Sequence, residues 1–114
     1  FRVLGDRALV VSDSMRANGM PEGDPFDLGG QMVTVHEGKA TLADGTLAGS
    51  VSNLHQEVKN LVSFGIPFAQ AVKAATLIPA RAIGMEEEIG SIVPGKRADL
   101  VVLDEHLNIA AVYH

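Results

Sequence analysis

The sequence predicts an α/β fold, and three of its features support that prediction. Residues 8–11, "ALVV", form an uninterrupted apolar run typical of strands that are covered on both faces of a parallel sheet. From Ser52 the apolar residues change to helical spacing, and this spacing continues to Gly84. Short strand-like runs return between residues 92 and 113. We therefore predict, in chain order, a strand, a loop, a hairpin, three helices and two or three final strands.

The composition is that of one globular domain and excludes several classes of partner. Of the 114 residues 46% are hydrophobic and 20% are charged, and the formal net charge is −5. No basic cluster is present to meet phosphates, so we expect no nucleic-acid and no membrane partner. No apolar stretch approaches the roughly 20 residues that span a bilayer. The absence of cysteine excludes disulfides and thiolate metal sites and is compatible with a reducing compartment. We expect a cytoplasmic protein.

The first half of the chain alternates between strands and loops. We predict a strand at residues 8–12 and a long loop at residues 15–30, which are rich in glycine and proline. Residues 31–42, "QMVTVHEGKATL", alternate apolar and polar side chains and predict a hairpin that turns at Glu37-Gly38. Residues 43–50, "ADGTLAGS", are again typical of turns.

The second half predicts three helices followed by strands. Ser50 or Ser52 can cap the first helix, which Gly65 ends. Its apolar stripe consists of Leu54, Val58, Leu61 and Val62. Pro67 begins the second helix and Pro79 the third. Strand-like runs follow at residues 92–93, at residues 100–103 after the turn of Pro94-Gly95, and at residues 108–114.

Asp13 is the first residue with a catalytic interpretation. It lies two residues after the end of the apolar run, and barrels of alternating strands and helices place their active sites at the carboxyl ends of the strands. A carboxylate there can act as general base and then as acid, and it can orient a metal-bound water. Alternatively, Asp13 caps the following loop, as Ser-Asp-Ser stretches do. The position alone leaves both interpretations open.

Metal ligation by this chain is not indicated. No two of the four histidines have the spacing of a zinc site, so we interpret all four as solvated or structural. They are His36, His55, His106 and His114. Glu86, Glu87 and Glu88 predict a solvated turn.

Four segments give the chain a resemblance to a known family. They are "ALVVSDSMRANGMPEG", "GTLAGSVSNLHQEVKNLV", "AATLIPARAIG" and "GSIVPGKRADLVVLD". In this order and spacing they resemble the C-terminal part of the N-acetylglucosamine-6-phosphate deacetylases, which belong to the amidohydrolase superfamily. The last segment is common to many amidohydrolases, whereas the combination is much more specific. The resemblance extends over essentially the whole chain.

The resemblance implies a more detailed fold. The chain is expected to be the C-terminal part of a metal-dependent (β/α)8 barrel followed by strands of a small β-sandwich. Residues 1–84 are expected to hold the last barrel strand, an inserted hairpin and the helices, and residues 85–114 the strands of the sandwich. Because the strand at 8–12 has no partner strand in this sequence, we expect a piece of a longer protein.

The resemblance also implies a reaction. It is the hydrolysis of N-acetylglucosamine 6-phosphate to glucosamine 6-phosphate and acetate. Asp13 matches the catalytic aspartate, which takes a proton from the metal-bound water and later gives one to the departing amine. The family often has Thr-Asp-Ala where this chain has Ser12-Asp13-Ser14, a small change.

The substrate pocket and the metal follow from the same resemblance. Leu47, Ala48 and Gly49 match the segment that lines the pocket through its backbone, and glycine permits such close approach. Alternatively, Gly49-Ser50 is only a turn and a cap. A divalent metal ion of the zinc or iron class is implied, with its glutamate and histidine ligands expected upstream of Phe1, together with most phosphate-binding residues. We expect the full-length enzyme to be a homo-oligomer, a dimer.

Two alternatives keep part of this interpretation. Another metal-dependent amidohydrolase could share these segments and act on a cyclic amide or an acylated amine. A non-catalytic interaction or structural domain could reuse the same half of the fold. The fragment alone is expected to be inactive, because a complete barrel needs about 250 residues.

Overall fold

The structure is a computed structural model that describes residues 1–114. After a short 3-10 helix at Gly5–Arg7, the chain forms six strands and three helices. The strands are β1 (Pro25–Leu28), β2 (Gln31–His36), β3 (Lys39–Leu42), β4 (Leu47–Gly49), β5 (Leu100–Leu103) and β6 (Ile109–Tyr113). The helices are α1 (Leu54–Ser63), α2 (Phe68–Ala75) and α3 (Leu77–Ala82). This mixture of helices and strands agrees with the predicted α/β class only in its broad form, because the strands of both sheets pair antiparallel.

Two compact units divide the chain. One contains Val11–Glu57, and the other contains Phe1–Val10 together with Val58–His114. The predicted domain boundary after residue 84 stays a prediction. None of the three helices is long enough and apolar enough to cross a membrane.

The unit at Val11–Glu57 is built on a four-stranded antiparallel sheet in the order β1-β2-β3-β4. The predicted hairpin is confirmed as β2 and β3, with Val35 opposite Ala40. Glu37 and Gly38 have φ angles of 50° and 70°, the left-handed values that a two-residue turn requires at both positions. Because this turn twists in the same sense as the strands, it sets the register locally.

Two strands in this sheet were not predicted. β1 lies inside the stretch predicted to be a loop, and β4 lies inside the stretch predicted to be turns. They have four and three residues, too few for an alternating pattern to be recognised. They form because the hairpin offers free edges: Phe26 pairs with Val33, and Gly49 pairs with Ala40. Tertiary pairing outweighs the weak local preference here.

The core of this unit lies on one face of the sheet. Val33 and Ala40 are fully buried, and half-buried side chains from the flanking segments pack around them. The buried cluster comprises Ala17, Phe26, Val33, Val35 and Ala40, with Met15, Leu42, Ala48 and Val51 against it. The segments that carry the predicted site residues therefore pack on the same core.

The other unit holds α2, α3 and the β5-β6 pair. The helices bury mainly small residues, with Ala71, Ala74 and Ala80 all at most 3% exposed. Helix α2 follows Pro67 as predicted, whereas α3 begins at Leu77, ahead of the predicted start at Pro79. Strands β5 and β6 confirm the predicted final strands and pair antiparallel.

The predicted strand at residues 8–12 is not formed. Leu9 is 44% exposed and Val11 is 63% exposed, and neither sheet includes this segment. Its backbone makes one hydrogen bond beyond its own turn, from the Val10 N–H to the Ala74 carbonyl. A strand requires a neighbouring strand, and none in residues 1–114 lies beside this one. The apolar run is present, but the sheet that would cover it is not.

The predicted strand at residues 92–93 is also wrong, because this stretch lies in a turn-rich segment between α3 and β5. Lys96 organises that segment: its Nζ donates to the Glu86 carbonyl and, over 2.8 Å, to the Ser91 Oγ. The Arg97 N–H also donates to the Glu88 carbonyl over 2.9 Å. Ile92 is left 87% exposed.

Asp104 organises the turn between β5 and β6 by accepting several hydrogen bonds there. Its Oδ1 accepts the N–H groups of Asn108 and His106 over 2.7 and 2.9 Å. These bonds, chiefly the one from Asn108, lower the pKa of the Asp104 carboxyl below its ordinary value of 3.8. We therefore expect the amide resonances of His106 and Asn108 to titrate below that pH in NMR spectra.

The sign of the effect follows from the direction of this shift. The unfolded chain takes up the proton at a higher pH than the folded turn does, so the stabilisation is complete above the ordinary pKa. It is lost as the pH falls through the lowered folded value. Asp104→Asn should remove this dependence from the protection of the turn amides. A titration midpoint at or above 3.8 would contradict the prediction.

Candidate functional site

Asp13 lies in an irregular segment, with its side chain exposed to solvent. Its φ angle is 48°, in the left-handed region that costs most residues roughly 1–2 kcal/mol. Asparagine and aspartate tolerate this region better than other non-glycine residues. Backbone strain of this kind persists where the surroundings impose it, and it clusters at functional sites.

The structure brings Asp13 close to the segment predicted to line the pocket. Ser14, the next residue, forms a parallel bridge with Ser50, which directly follows β4. The Met15 N–H donates to the Ser50 carbonyl over 2.8 Å. Two stretches that are far apart in sequence therefore run side by side at this point.

The three predicted pocket residues form β4. Leu47 is 66% exposed, whereas Ala48 and Gly49 are half-buried. Strand β4 pairs with β3, and the register shifts between Ala40 and Thr41. The segment is thus held by the sheet on one side, while Leu47 presents its side chain to solvent.

Gly49 has a structural reason to be glycine. A Cβ atom at this position would lie 2.7 Å from the Met15 Sδ and 2.9 Å from its Cγ. The glycine therefore makes room for the Met15 side chain, which packs on the core of this unit. The absence of a Cβ atom at Gly49 thus allows the close approach of Met15, which lies two residues after Asp13.

A cluster of polar side chains follows β4, and its hydrogen bonds differ from those predicted. Either Ser50 or Ser52 was predicted to cap α1, but Asn53 does so, with its Oδ1 accepting the Gln56 N–H over 2.9 Å. Ser52 instead donates from its Oγ to the Glu57 Oε1. The signal that predicts the cap is the pair Asn53 and Gln56, at the N-cap and three residues later.

The residues present do not form a metal site by themselves. Nowhere in residues 1–114 do three side chains of histidine, cysteine, aspartate or glutamate converge on one point. A shallow depression on the same unit is lined by Gln31, Met32, Leu42, Ala43 and Asp44, and it contains none of the predicted site residues.

Most of the chain matches the model of one protein family. Residues 31–113 match the model of the amidohydrolase family. The chain belongs to the amidohydrolase family.

Individual relatives indicate more narrowly which members of the family the chain resembles. An N-acetylgalactosamine-6-phosphate deacetylase from Escherichia coli O157:H7 is 38% identical over 109 residues, which are 95% of this chain and 29% of that protein. An N-acetylglucosamine-6-phosphate deacetylase from Haemophilus influenzae is 34% identical over 110 residues, again 95% of this chain and 29% of that protein. These matches confirm the resemblance that the four sequence segments carry.

Solved structures agree in fold. The N-acetylglucosamine-6-phosphate deacetylase of Pasteurella multocida has a TM-score of 0.90 at 34% identity, over 98% of this chain and 30% of that one. An aspartate-to-alanine mutant of the Mycobacterium smegmatis enzyme, in complex with N-acetyl-D-glucosamine-6-phosphate, has a TM-score of 0.83 at 35% identity, over 98% of this chain and 30% of that one. The chain thus spans less than a third of the length of these structures.

Proposed function

We propose that the protein to which these residues belong hydrolyses the acetamide of N-acetylglucosamine 6-phosphate, releasing glucosamine 6-phosphate and acetate. The observation that supports this most is the similarity to deacetylases of that name, in sequence and in structure, over nearly the whole chain. The placement of Asp13 beside the β4 segment agrees with it. Residues 1–114 alone are proposed to be inactive, because they span 30% of such an enzyme.

Asp13 is proposed to move the proton. Its exposed carboxylate can accept a proton from the attacking water and return one to the departing amine, which needs a hydrogen-bond approach of about 2.6–3.2 Å. The backbone of Leu47, Ala48 and Gly49 is proposed to line the pocket beside it. The strained conformation of Asp13 and its proximity to Ser50 support this assignment.

The remaining features are proposed from the same relationship. Residues 1–84 are proposed as the end of a (β/α)8 barrel and residues 85–114 as strands of a small β-sandwich, in a cytoplasmic homodimer. A divalent metal ion of the zinc or iron class is proposed as the cofactor. Its ligands are proposed to lie mainly outside residues 1–114, as the same relationship implies.

A second candidate substrate is N-acetylgalactosamine 6-phosphate. It differs from the first substrate only in the configuration of one hydroxyl group. This candidate is favoured by the 38% identity to the Escherichia coli O157:H7 protein, which is named an N-acetylgalactosamine-6-phosphate deacetylase.

The test measures acetate release by the complete gene product, purified with zinc or with ferrous iron, on both sugar phosphates. We expect acetate from N-acetylglucosamine 6-phosphate with the higher kcat/KM, and little from unphosphorylated N-acetylglucosamine, which is the control. A higher kcat/KM on the galactosamine epimer would replace the first candidate by the second. A folded, metal-loaded protein that releases acetate from neither would refute both.

A further inference from the structure

A relay of hydrogen bonds joins the end of β4 to the first turn of α1. The Ser52 Oγ donates to a carboxylate oxygen of Glu57, the Ser52 N–H donates to the Ser50 Oγ over 3.2 Å, and the two Oγ atoms are 3.2 Å apart. All three residues are half-buried. A hydrogen bond to a carboxylate is shorter and stronger than one between neutral groups.

The direction of the relay follows from the number of protons. A serine hydroxyl has one proton to donate. Because that of Ser52 is donated to Glu57, the contact between the two hydroxyls requires Ser50 as donor. Each hydroxyl rotor is thereby fixed, and the backbone between Ser50 and Ser52 is held at two points.

The relay ends at the contact that places Asp13. The carbonyl of Ser50 accepts the Met15 N–H over 2.8 Å, and the carbonyl of Ser52 accepts the Asn18 Nδ2 over 3.4 Å. Both bonds fasten the segment that begins with Asp13 to the chain that follows β4. Strand β4 itself is held separately by its pairing with β3.

We propose that Ser52 and Glu57 are positioning residues that set the distance between the Asp13 carboxylate and the β4 segment. In this role they act through the backbone of Ser50, whose carbonyl accepts the Met15 N–H. This inference rests on the proposed function, in which Asp13 transfers the proton and β4 lines the pocket. Loss of the relay frees Asp13 to shift while β4 stays paired, so turnover falls and substrate affinity is retained.

The experiment compares Ser52→Ala, Ser52→Thr and Glu57→Ala in the complete gene product. We expect Ser52→Ala and Glu57→Ala to lower kcat about tenfold or more, since small misplacements of reacting groups have effects of that order. KM should stay within about threefold, because the binding segment is unmoved. Ser52→Thr keeps the hydroxyl and should restore kcat. Ser63→Ala is the matched control, since that hydroxyl bonds only within α1, to the Asn60 carbonyl.

A second measurement does not depend on activity. Hydrogen exchange of the Met15 amide should accelerate in Ser52→Ala and stay at the wild-type rate in Ser63→Ala. An active wild type with kcat unchanged in Ser52→Ala overturns the inference alone, as does an unchanged Met15 exchange rate. A wild type that is inactive on both sugar phosphates refutes the proposed function and the positioning role together.

Discussion

Replacing Asp13 by asparagine is expected to lower the turnover of the complete enzyme by about 10³-fold, the middle of the range for loss of a general acid–base group. Asparagine has nearly the same size as aspartate and tolerates the left-handed backbone at φ 48°. Its amide has no basic oxygen comparable to a carboxylate, so the proton of the attacking water has no acceptor. KM should change little, because β4 and its backbone are untouched.

The measurement is steady-state deacetylation, with circular dichroism and thermal unfolding to show that the variant is folded. Asp24→Asn, in the exposed loop before β1, is the matched control and should behave like the wild type. Asp13→Gly should be equally inactive and about as stable as the wild type, because glycine relieves the strain of the positive φ but loses more backbone freedom on folding. Wild-type turnover in Asp13→Asn would refute the role given to this carboxylate.

Local rules predicted the parts of the fold that depend on neighbouring residues. The turn of Glu37-Gly38 fixed the hairpin, because two residues with positive φ can join antiparallel strands in register. The helix after Pro67 and the strand at residues 100–103 also follow from short-range patterns. The conformation of these elements depends mainly on residues within or next to them.

Elements that need a distant partner were not predicted correctly. The run at residues 8–12 has the composition of a buried strand, but its conformation depends on neighbouring strands that residues 1–114 do not supply. Strand β1 is the opposite case. Its short length and Pro25 predict a loop, but the segment becomes a strand because it pairs with the edge of β2. A hydrophobic pattern predicts which side chains are buried, but it does not predict which strands or helices bury them.

The candidate site likewise contains features that the sequence predicts and features that it does not. The apolar run before Asp13 and the glycine at position 49 could be recognised from the sequence. The parallel bridge between Ser14 and Ser50 could not, since nothing in either stretch encodes its partner. The close fit of Gly49 against Met15 is likewise a product of that pairing. Only the resemblance to the deacetylases predicted that Asp13 and residues 47–49 serve the same site.

Replacing Gly90 by alanine is expected to destabilise the protein by about 3 kcal/mol, combining backbone strain with overpacking. Gly90 has a φ of 87°, and a Cβ atom there would lie 2.8 Å from the Ala80 Cβ and 3.0 Å from the Leu77 Cα. These atoms belong to α3, and Ala80 is 3% exposed, so neither can move without disturbing the helix packing. The segment that contains Gly90 is also fastened by Lys96, which donates to the Glu86 carbonyl and the Ser91 Oγ.

Gly95 provides the matched control because it separates the two contributions. Its φ is 95°, but a Cβ atom there would meet nothing within 4 Å. Gly95→Ala should therefore cost only the strain, about 1 kcal/mol, and the difference between the two variants measures the contact with α3. Denaturant unfolding of both variants, in the complete gene product, gives the two free energies. Equal destabilisation in the two variants would mean that the segment around Gly90 does not pack on α3 as closely as the structure shows, since strain alone would then account for both.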